Sequence, residues 1–292
     1  MRDGLVVVDK PAGCTSHDVV ARLRRVYGQR RVGHAGTLDP DATGVLLVGL
    51  GRATRLLRFL QEAGKAYRGR VVFGVATTTL DASGEVLDQQ PMPITREDVV
   101  AATARFTGDI DQLPPMVSAV KVDGRRLHEL ARAGKEVDRA PRRVRVDRFD
   151  VEGFEPGPYP EADVVVECSS GTYVRSLAAD LGVALGGCAH LASLRRTRVG
   201  SFGLDEARSL DDIGLDPDGA VLPMEAAVRD LEPVRVDAEQ AVAVSHGVPF
   251  PAGVLAPRGA GPYAVSGPGD DLLAVYERCG GGLRPAVVLA PA

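Results

Sequence analysis

Short apolar runs that alternate with amphipathic stretches constrain the fold of this chain more than any other feature. Runs rich in β-branched residues and bounded by Gly or Pro occupy residues 4–8, 45–50 and 68–75, and each predicts a strand. Apolar residues at helical spacing follow polar N-cap residues near Ser16 and Thr95. Strands and helices are interleaved without a regular βαβ repeat, which predicts an α+β (mixed α/β) core.

The next part of the sequence changes character twice. Residues 107–143 break into Gly- and Pro-rich pieces around a predicted helix at 127–133, which is typical of an arm packed on a core. Residues 142–151 and 161–168 predict two neighbouring strands, and an apolar face over 171–185 predicts a helix.

After Val228 the pattern is one of short strands separated by Gly- and Pro-rich turns, which predicts a small all-β module. The strand-like segments lie at residues 234–236, 264–265, 272–276 and 286–289. We therefore predict two domains, residues 1–230 and residues 231–292, with the arm belonging to the first.

Composition narrows the class of protein. The 292 residues are 45% hydrophobic and 25% charged, as in ordinary globular proteins, and no apolar run approaches the ~20 residues of a membrane span. The first residues lack the apolar stretch of a signal peptide, so we expect a cytoplasmic protein with no membrane partner. The four cysteines form no CxxC pair and predict buried free thiols.

The net charge of -4 hides an uneven distribution. Residues 201–292 hold 6 basic and 14 acidic side chains, whereas the first 200 residues hold 29 and 25. Residues 21–70 have eleven Lys or Arg against three Asp or Glu, and residues 121–148 have ten against five. Such stripes are typical of a surface that binds a polyanion, with solvated helix faces as the alternative on charge alone.

A Gly-rich segment at residues 33–44 is the strongest candidate for chemistry, although its composition by itself predicts only a loop. Within it, Asp39 is fixed by Pro40 and flanked by small residues that let a substrate approach. A carboxylate can attack an anomeric carbon if it stays ionised in a pocket that excludes water, and this requires a nearby cation. Arg175, on the first turns of a predicted helix, offers one; the alternative is an ordinary surface cation.

Patterns for nucleotide cofactors and metals are missing from the sequence. It contains no GxxxxGK[ST], GxGxxG, HExxH or GxSxG segment, and its five histidines show no metal-ligand spacing. We therefore expect no cofactor and no metal.

Six short motifs occur in order over about the first 200 residues. They are VDKPAGCTS at 8–16, GHAGTLDP with ATG at 33–44, KAY at 65–67, PP with SAVK at 114–121, GTYVRSL at 171–177, and AHL with LRR at 189–196. In this register the chain resembles the bacterial tRNA pseudouridine synthase B family. The resemblance implies a pseudouridine synthase core with a central, mainly antiparallel sheet, and a C-terminal β module similar to PUA domains.

The resemblance also implies the reaction. A uridine in the T loop of tRNA, at position 55, is flipped out and isomerised to pseudouridine by cleavage of C1′–N1 and formation of C1′–C5. No cofactor is needed, because no group is supplied from outside and the redox state does not change. Asp39 either adds to C1′ or abstracts the 2′ proton, and the sequence leaves both routes open.

Individual roles follow from the same resemblance. Asp39 is the catalytic aspartate, Tyr67 stacks on the uracil and can take the C5 proton, and Arg175 pairs with Asp39. His34 helps to extract the uridine. Substrate contacts are implied for Gly36, Thr37, Tyr173, Leu194, Lys10 and Lys121, of which Lys121 lies in the arm that resembles the family's RNA-closing thumb.

Two other functions compete with this interpretation. A non-catalytic RNA-binding or RNA-folding protein would use the basic stripes but would not need an aspartate opposite an arginine. A related pseudouridine synthase could act on another RNA, with or without a guide. Because the chain carries its own arm and lacks long basic tails, we expect no dependence on guide RNA. The resemblance implies the T arm of tRNA as the partner, and we expect a monomer with no obligate protein partner.

Overall fold

The computed structural model describes residues 2–118, 137–255 and 257–289, and the backbone of residues 121–122 and 125–126. In these ranges the helices are α1 (Ser16–Val26), α2 (Leu57–Glu62), α3 (Arg96–Thr103), α4 (Val174–Ala184), α5 (Leu210–Leu215) and α6 (Ala238–Ser245). The strands are β1 (Gly4–Lys10), β2 (Val32–Ala35), β3 (Thr43–Leu50), β4 (Lys65–Phe73), β5 (Val75–Thr77), β6 (Val86–Gln89), β7 (Gly108–Gln112), β8 (Lys121–Val122), β9 (Arg125–Arg126), β10 (Arg142–Glu155), β11 (Glu161–Cys168), β12 (Ala189–Val199), β13 (Phe202–Gly203), β14 (Glu232–Arg235), β15 (Tyr263–Ser266), β16 (Leu272–Cys279) and β17 (Gly282–Val288). Short 3₁₀ turns occupy Gly51–Arg55, Ala104–Phe106 and Met224–Val228.

The largest sheet follows the path β1-β3-β12-β4-β11-β10-β7, with β2 paired to β3 and β13 paired to β12. Its described strand pairs are antiparallel except for β3 and β12, which run parallel. Gly44 is required at this contact, because its φ is +103° and a Cβ there would lie 2.1 Å from the carbonyl oxygen of Arg196. The expected α+β core with a mainly antiparallel sheet is confirmed.

Helices α1 and α4 cover this sheet with apolar faces. Leu23 of α1 is fully buried in one cluster with Leu46 of β3. Leu177 of α4 is fully buried in another cluster with Phe73 of β4. Because the sheet holds both helices by their apolar faces, the start of each helix has a fixed position beside the ends of the strands.

A four-stranded sheet in the order β14-β15-β16-β17 forms the C-terminal part. The sequence predicted these strands but not helix α6, so the expectation of an all-β module was incomplete. Asp237 and Gln240 form a capping box that starts α6.

The C-terminal sheet packs directly on the preceding part of the chain. Leu272, Val275 and Val287 share a buried apolar cluster with Phe59 and Phe202. Two arginines also donate to backbone carbonyl oxygens at the end of the sheet: Arg52 Nη1 to Leu289 at 3.1 Å and Arg55 Nη1 to Val288 at 2.5 Å. The division into residues 1–230 and 231–292 stays a prediction, and the two parts are not separated by a free linker.

Several local expectations need correction. Residues 33–35 belong to strand β2, so the predicted loop is limited to the residues between β2 and β3. All four cysteines are free, but only Cys168 is buried, and Cys279 is exposed. The helix predicted at 127–133 lies outside the described residues. Among the described helices, none has the length and apolar character needed to cross a membrane.

Candidate active site

A pocket opens between the loop that follows β2, the strands β4 and β12, and the start of α4. Its lining brings together seven residues that the motifs indicated: Gly36, Thr37, Asp39, Tyr67, Tyr173, Arg175 and Leu194. Lys10 and His34 lie outside this lining. The side chain of Lys121 lies outside the described residues, so its role stays a prediction.

The loop that carries Asp39 is held on both sides of that residue. Three of its contacts are Arg196 Nη2 with the carbonyl oxygen of Gly36 at 3.1 Å, the Leu38 N–H with Ser16 Oγ at 3.0 Å, and Lys10 Nζ with the carbonyl oxygen of Pro40 at 2.8 Å. Gly36 has a φ of +82°, which favours glycine. The Asp39 side chain therefore starts from a fixed backbone.

Asp39 and Arg175 form a two-point ion pair in the pocket. Arg175 Nε lies 3.1 Å from Asp39 Oδ2, and Arg175 Nη2 donates to Asp39 Oδ1 at 3.2 Å. The Arg175 side chain is 5% exposed, whereas that of Asp39 is 42% exposed. The arginine is thus part of the protein interior, and the carboxylate faces the space that a substrate would occupy.

The remaining N–H groups of Arg175 are also used. Nη1 donates to the carbonyl oxygen of Thr79 at 2.9 Å, and Nη2 donates to that of Val117 at 2.8 Å. Asp81 Oδ2 lies 3.4 Å from Nη1 and forms a second ion pair. The sequence did not indicate Asp81, because it lies in an ordinary polar turn far along the chain from both partners.

Opposing effects set the acidity of Asp39. Burial raises the pKa of the Asp39 carboxyl, Arg175 lowers it and Asp81 raises it, so that the pKa lies above its ordinary value. Lys10 contributes a smaller lowering. Arg175 is therefore the main group that keeps Asp39 ionised.

Tyr67 lies in the wall of the pocket, opposite a buried cation. It is 8% exposed and faces Arg196 directly in the pairing of β4 with β12. Burial raises the pKa of the Tyr67 phenol, and Arg196 partly opposes this. Tyr67 thus contributes a neutral phenol to the wall of the pocket, as expected for a residue that stacks on a base.

Arg196 belongs to the LRR motif, but no role was assigned to it. Its side chain is 1% exposed, and its Nε donates to the carbonyl oxygen of Val45 at 2.7 Å. It also reaches the carbonyl oxygens of Gly36 and Thr37. Arg196 therefore connects the catalytic loop to β3 and β12 through backbone oxygens.

The geometry gives Lys10 a different role from the predicted substrate contact. Its side chain is completely buried, and its Nζ donates to the carbonyl oxygens of Pro11, Cys14 and Pro40 at 2.8, 2.7 and 2.8 Å. An ammonium group has three protons, and all three are used. Lys10 thus fixes the catalytic loop and has no donor left for RNA.

Lys65 is a second buried lysine, and it does line the pocket. Its Nζ donates to the carbonyl oxygens of Gln61 and Ala63 at the end of α2. Burial, together with the nearby Arg196, lowers the pKa of Lys65 to about 8. The KAY motif therefore contains, two residues before Tyr67, a lysine whose ammonium group is held by backbone carbonyl oxygens.

His34 lies on β2, beside the pocket rather than in its lining. Its ring meets that of His17 edge-on, with 5.3 Å between the ring centres. Burial, with smaller contributions from His17 and Arg196, lowers the pKa of His34 to about 4, so the ring is neutral near pH 7. Its buried Nδ1 has no hydrogen-bond partner within the described part of the chain.

The described arginines differ in how they are neutralised. Arg145 Nε lies 2.7 Å from Asp147, and Arg148 Nε lies 2.5 Å from Asp150. These pairs favour a neutral surface over a phosphate site along residues 145–150 of β10. This differs from the expectation based on charge counts. Around the end of α1, by contrast, Arg24, Arg25, Arg30 and Arg31 are exposed and form no ion pair with a carboxylate of the described residues.

No cluster of three or more His, Cys, Asp or Glu side chains that could hold a metal ion occurs within the described ranges. The chemistry that the pocket offers by its own residues is that of a partly exposed carboxylate, held by a buried guanidinium, beside a buried phenol.

This set of groups on a mainly antiparallel sheet is the one that the motifs led us to expect of a pseudouridine synthase, which is an isomerase. Residues 24–174 match the family described as TruB family pseudouridylate synthase (N terminal domain), and residues 175–229 match the tRNA pseudouridylate synthase B C-terminal domain. The chain belongs to the TruB family of pseudouridylate synthases.

Individual relatives agree with this assignment. A protein of Rhodococcus jostii (strain RHA1) named tRNA pseudouridine synthase B is 50% identical, and the match covers 99% of this chain and 94% of the relative. One of the same name from Thermobifida fusca (strain YX) is 48% identical, with 99% of each chain covered.

Solved structures extend the similarity to the fold. The structure titled "Structure of H/ACA RNP bound to a substrate RNA containing 2'-deoxyuridine" superposes with a TM-score of 0.74 at 26% identity, covering 99% of this chain and 85% of the other. A chain of the "Crystal Structure of a Cbf5-Nop10-Gar1 Complex" superposes with a TM-score of 0.73 at 30% identity, covering 94% and 78%. The expected C-terminal module similar to PUA domains is consistent with this full-length superposition.

Proposed function

We propose that this enzyme isomerises the uridine at position 55 in the T loop of tRNA to pseudouridine. The observation that carries the proposal is the two-point pair between Asp39 and Arg175, with separations of 3.1 and 3.2 Å, in a pocket that also contains Tyr67. The names of relatives matched over nearly the full chain support tRNA as the substrate. The six motifs, in the register of the same family, support the T loop.

Asp39 is the catalytic carboxylate in this proposal. The C1′–N1 bond breaks, the uracil turns within the pocket, C1′–C5 forms, and the proton lost from C5 is balanced by one gained at N1. Adding to C1′ and abstracting the 2′ proton both require an ionised Asp39. Arg175 supplies this condition, because its positive charge opposes the effect of burial on the carboxyl.

Tyr67 and His34 act on the uracil base as it leaves the folded loop. A uracil must leave the folded loop before it can reach Asp39, which costs a few kcal/mol of stacking and pairing. In this proposal the ring of Tyr67, which lines the pocket, stacks on the uracil and offsets part of this cost. The neutral ring of His34, next to the pocket, occupies the vacancy left by the uridine.

The phosphates of the T arm meet the protein at the end of α1. Arg24, Arg25 and Arg30 leave a positive surface there, because none of them forms an ion pair with a carboxylate of the described residues. Because phosphate contacts supply most of the affinity for RNA, this surface is better suited to tRNA than the acid-paired arginines of β10.

We further propose that the enzyme acts as a monomer, without guide RNA or partner protein. The relatives that match it over nearly their full length carry names of a synthase alone. The similar chains of the H/ACA RNP and of the Cbf5-Nop10-Gar1 complex are only partly covered, at 85% and 78%.

The test uses the purified full-length protein and an unmodified tRNA transcript. Pseudouridine is mapped after incubation, and the molecular mass of the protein is measured in the same buffer. We expect one modified uridine, at position 55 in the T loop, from a monomer with no other macromolecule added. Modification only at another site, or only after addition of a guide RNA, would reject the proposal.

A further inference from the structure

Gln112, the last residue of β7, forms hydrogen bonds through both polar atoms of its side-chain amide to the backbone of Tyr173, which lines the pocket. Gln112 is 2% exposed. Gln112 Nε2 donates to the carbonyl oxygen of Tyr173 at 3.0 Å, and the Tyr173 N–H donates to Gln112 Oε1 at 2.7 Å. Because a buried amide is costly unless its polar groups are bonded, this reciprocal pair strongly fixes the two residues relative to each other.

The partner of Gln112 is the N-cap residue of α4. The side chain of Tyr173 makes no capping hydrogen bond, so the helix start lacks the usual Ser, Thr, Asp or Asn acceptor. The Tyr173 carbonyl oxygen also accepts the first helical hydrogen bond, from the Leu177 N–H at 3.1 Å. The Gln112 amide, at the end of strand β7, thus holds the first turn of helix α4 in place.

Two more contacts join the same segments. Ser176 Oγ donates to the carbonyl oxygen of Leu113 at 3.1 Å, and Arg175 Nη2 donates to that of Val117 at 2.8 Å. Residues 112–117 therefore contact the start of α4 at three places: before Arg175, after Arg175 and at the guanidinium of Arg175. Gln112 is the side chain among these residues that bonds the helix backbone itself.

We propose that Gln112 is a positioning residue for the Asp39–Arg175 pair. Its amide fixes the backbone two residues before Arg175, and this sets the direction from which the guanidinium meets the Asp39 carboxylate. The inference rests on the catalytic roles proposed above for these two residues. It gives Gln112 an effect on the reaction that burial and packing alone would not produce.

The pH dependence of the rate separates positioning from stability. Asp39 is faced by Arg175 from α4, Lys10 from β1, Asp81 from the turn after β5, and Asp41 from its own loop. If the guanidinium moves away, its lowering effect on the pKa of Asp39 weakens, and that pKa rises. Since the reaction needs the ionised carboxylate, the acid limb of the rate profile then moves to higher pH.

The experiment compares Gln112→Met with Gln89→Met, a matched change at an exposed position on β6. We expect Gln112→Met to lower the single-turnover rate on tRNA by about 10- to 100-fold, as for a misplaced reacting group. Its Kd for tRNA should stay within about threefold of the wild-type value, because the loss belongs to the chemical step. The acid limb should move to higher pH, and Gln89→Met should match the wild type in all three measurements.

A folded Gln112→Met protein with the wild-type rate and acid limb would overturn the proposal, even if its melting temperature fell. If Gln112→Met does not fold, Gln112→Asn decides, because it keeps a buried amide but is one methylene too short for Tyr173. A wild-type acid limb in that variant would likewise overturn the proposal.

Asp39→Asn, assayed on the same tRNA, separates this inference from the proposed function. If Asp39→Asn keeps its activity, the catalytic assignment itself fails. If Asp39→Asn is inactive while Gln112→Met behaves as wild type, only the role of Gln112 fails.

Discussion

The pocket and the C-terminal sheet are held in place by different interactions. In the pocket, Arg175 is fixed by two carboxylates and by the backbone of Thr79 and Val117, all from distant segments. The C-terminal sheet is joined to the rest mainly by apolar side chains, among them Leu272 and Val275. The polar network of the pocket sets the charge and orientation of its side chains, whereas the apolar cluster contributes to the free energy of unfolding. Substitutions in the pocket should therefore change the rate, and substitutions in the cluster should change the stability.

The largest effect is expected for Asp39→Asn. The amide keeps the shape of the side chain but can act neither as a nucleophile nor as a base, so the single-turnover rate should fall by at least about a thousandfold. Tritium release from C5-labelled uridine in tRNA measures the rate, and filter binding should show nearly normal tRNA affinity. Turnover within about tenfold of the wild type would remove Asp39 from the mechanism.

Leu272→Ala should affect stability and leave the chemistry unchanged. Leu272 is 6% exposed in the shared apolar cluster, and its truncation should lower the free energy of unfolding by about 2–5 kcal/mol. Urea denaturation measures this, and Leu215→Ala is the matched control because Leu215 is 86% exposed. A large loss of single-turnover rate in folded Leu272→Ala would mean that the C-terminal sheet shapes the pocket.

A smaller and more specific effect is expected at the end of α1. If Arg25 and Arg30 contact phosphates, replacing each by Ala should flatten the slope of log affinity against log salt by about 0.7–0.9. Arg148→Ala is the control, because its guanidinium is paired with Asp150. A slope equal to that of the wild type in all three variants would assign Arg25 and Arg30 to an ordinary solvated surface.

The sequence was sufficient to predict strands β1, β3, β4, β10 and β11 of the core and the pairing of Asp39 with Arg175, but it did not predict β7 or the central strand β12. The strands carry a local signal in their β-branched runs, and the two site residues lie in motifs with a family register. It was wrong about residues 33–35, because Gly and His side chains do not suggest a strand that only pairing with β3 stabilises.

The sequence could not indicate Asp81 or Gln112. Their contacts join residues that are far apart in the chain, and a polar turn or a strand-end glutamine has no distinguishing local pattern. The sequence identified the motif that contains Lys10, but the structure does not support the predicted contact between Lys10 and the substrate. Only the structure shows that three backbone carbonyls surround the ammonium group.

The pH profile of the single-turnover rate in Arg175 variants tests the central claim most directly, that Asp39 and Arg175 act as one catalytic pair. In Arg175→Ala the Asp39 pKa loses its main lowering influence, so the rate should fall by at least about a hundredfold and the acid limb should move to higher pH. Arg175→Lys keeps the charge but not the two-point geometry. Its rate and its acid limb should therefore lie between those of the wild type and of Arg175→Ala. An acid limb that stays at the wild-type pH in folded Arg175→Ala would contradict the pairing as the basis of catalysis.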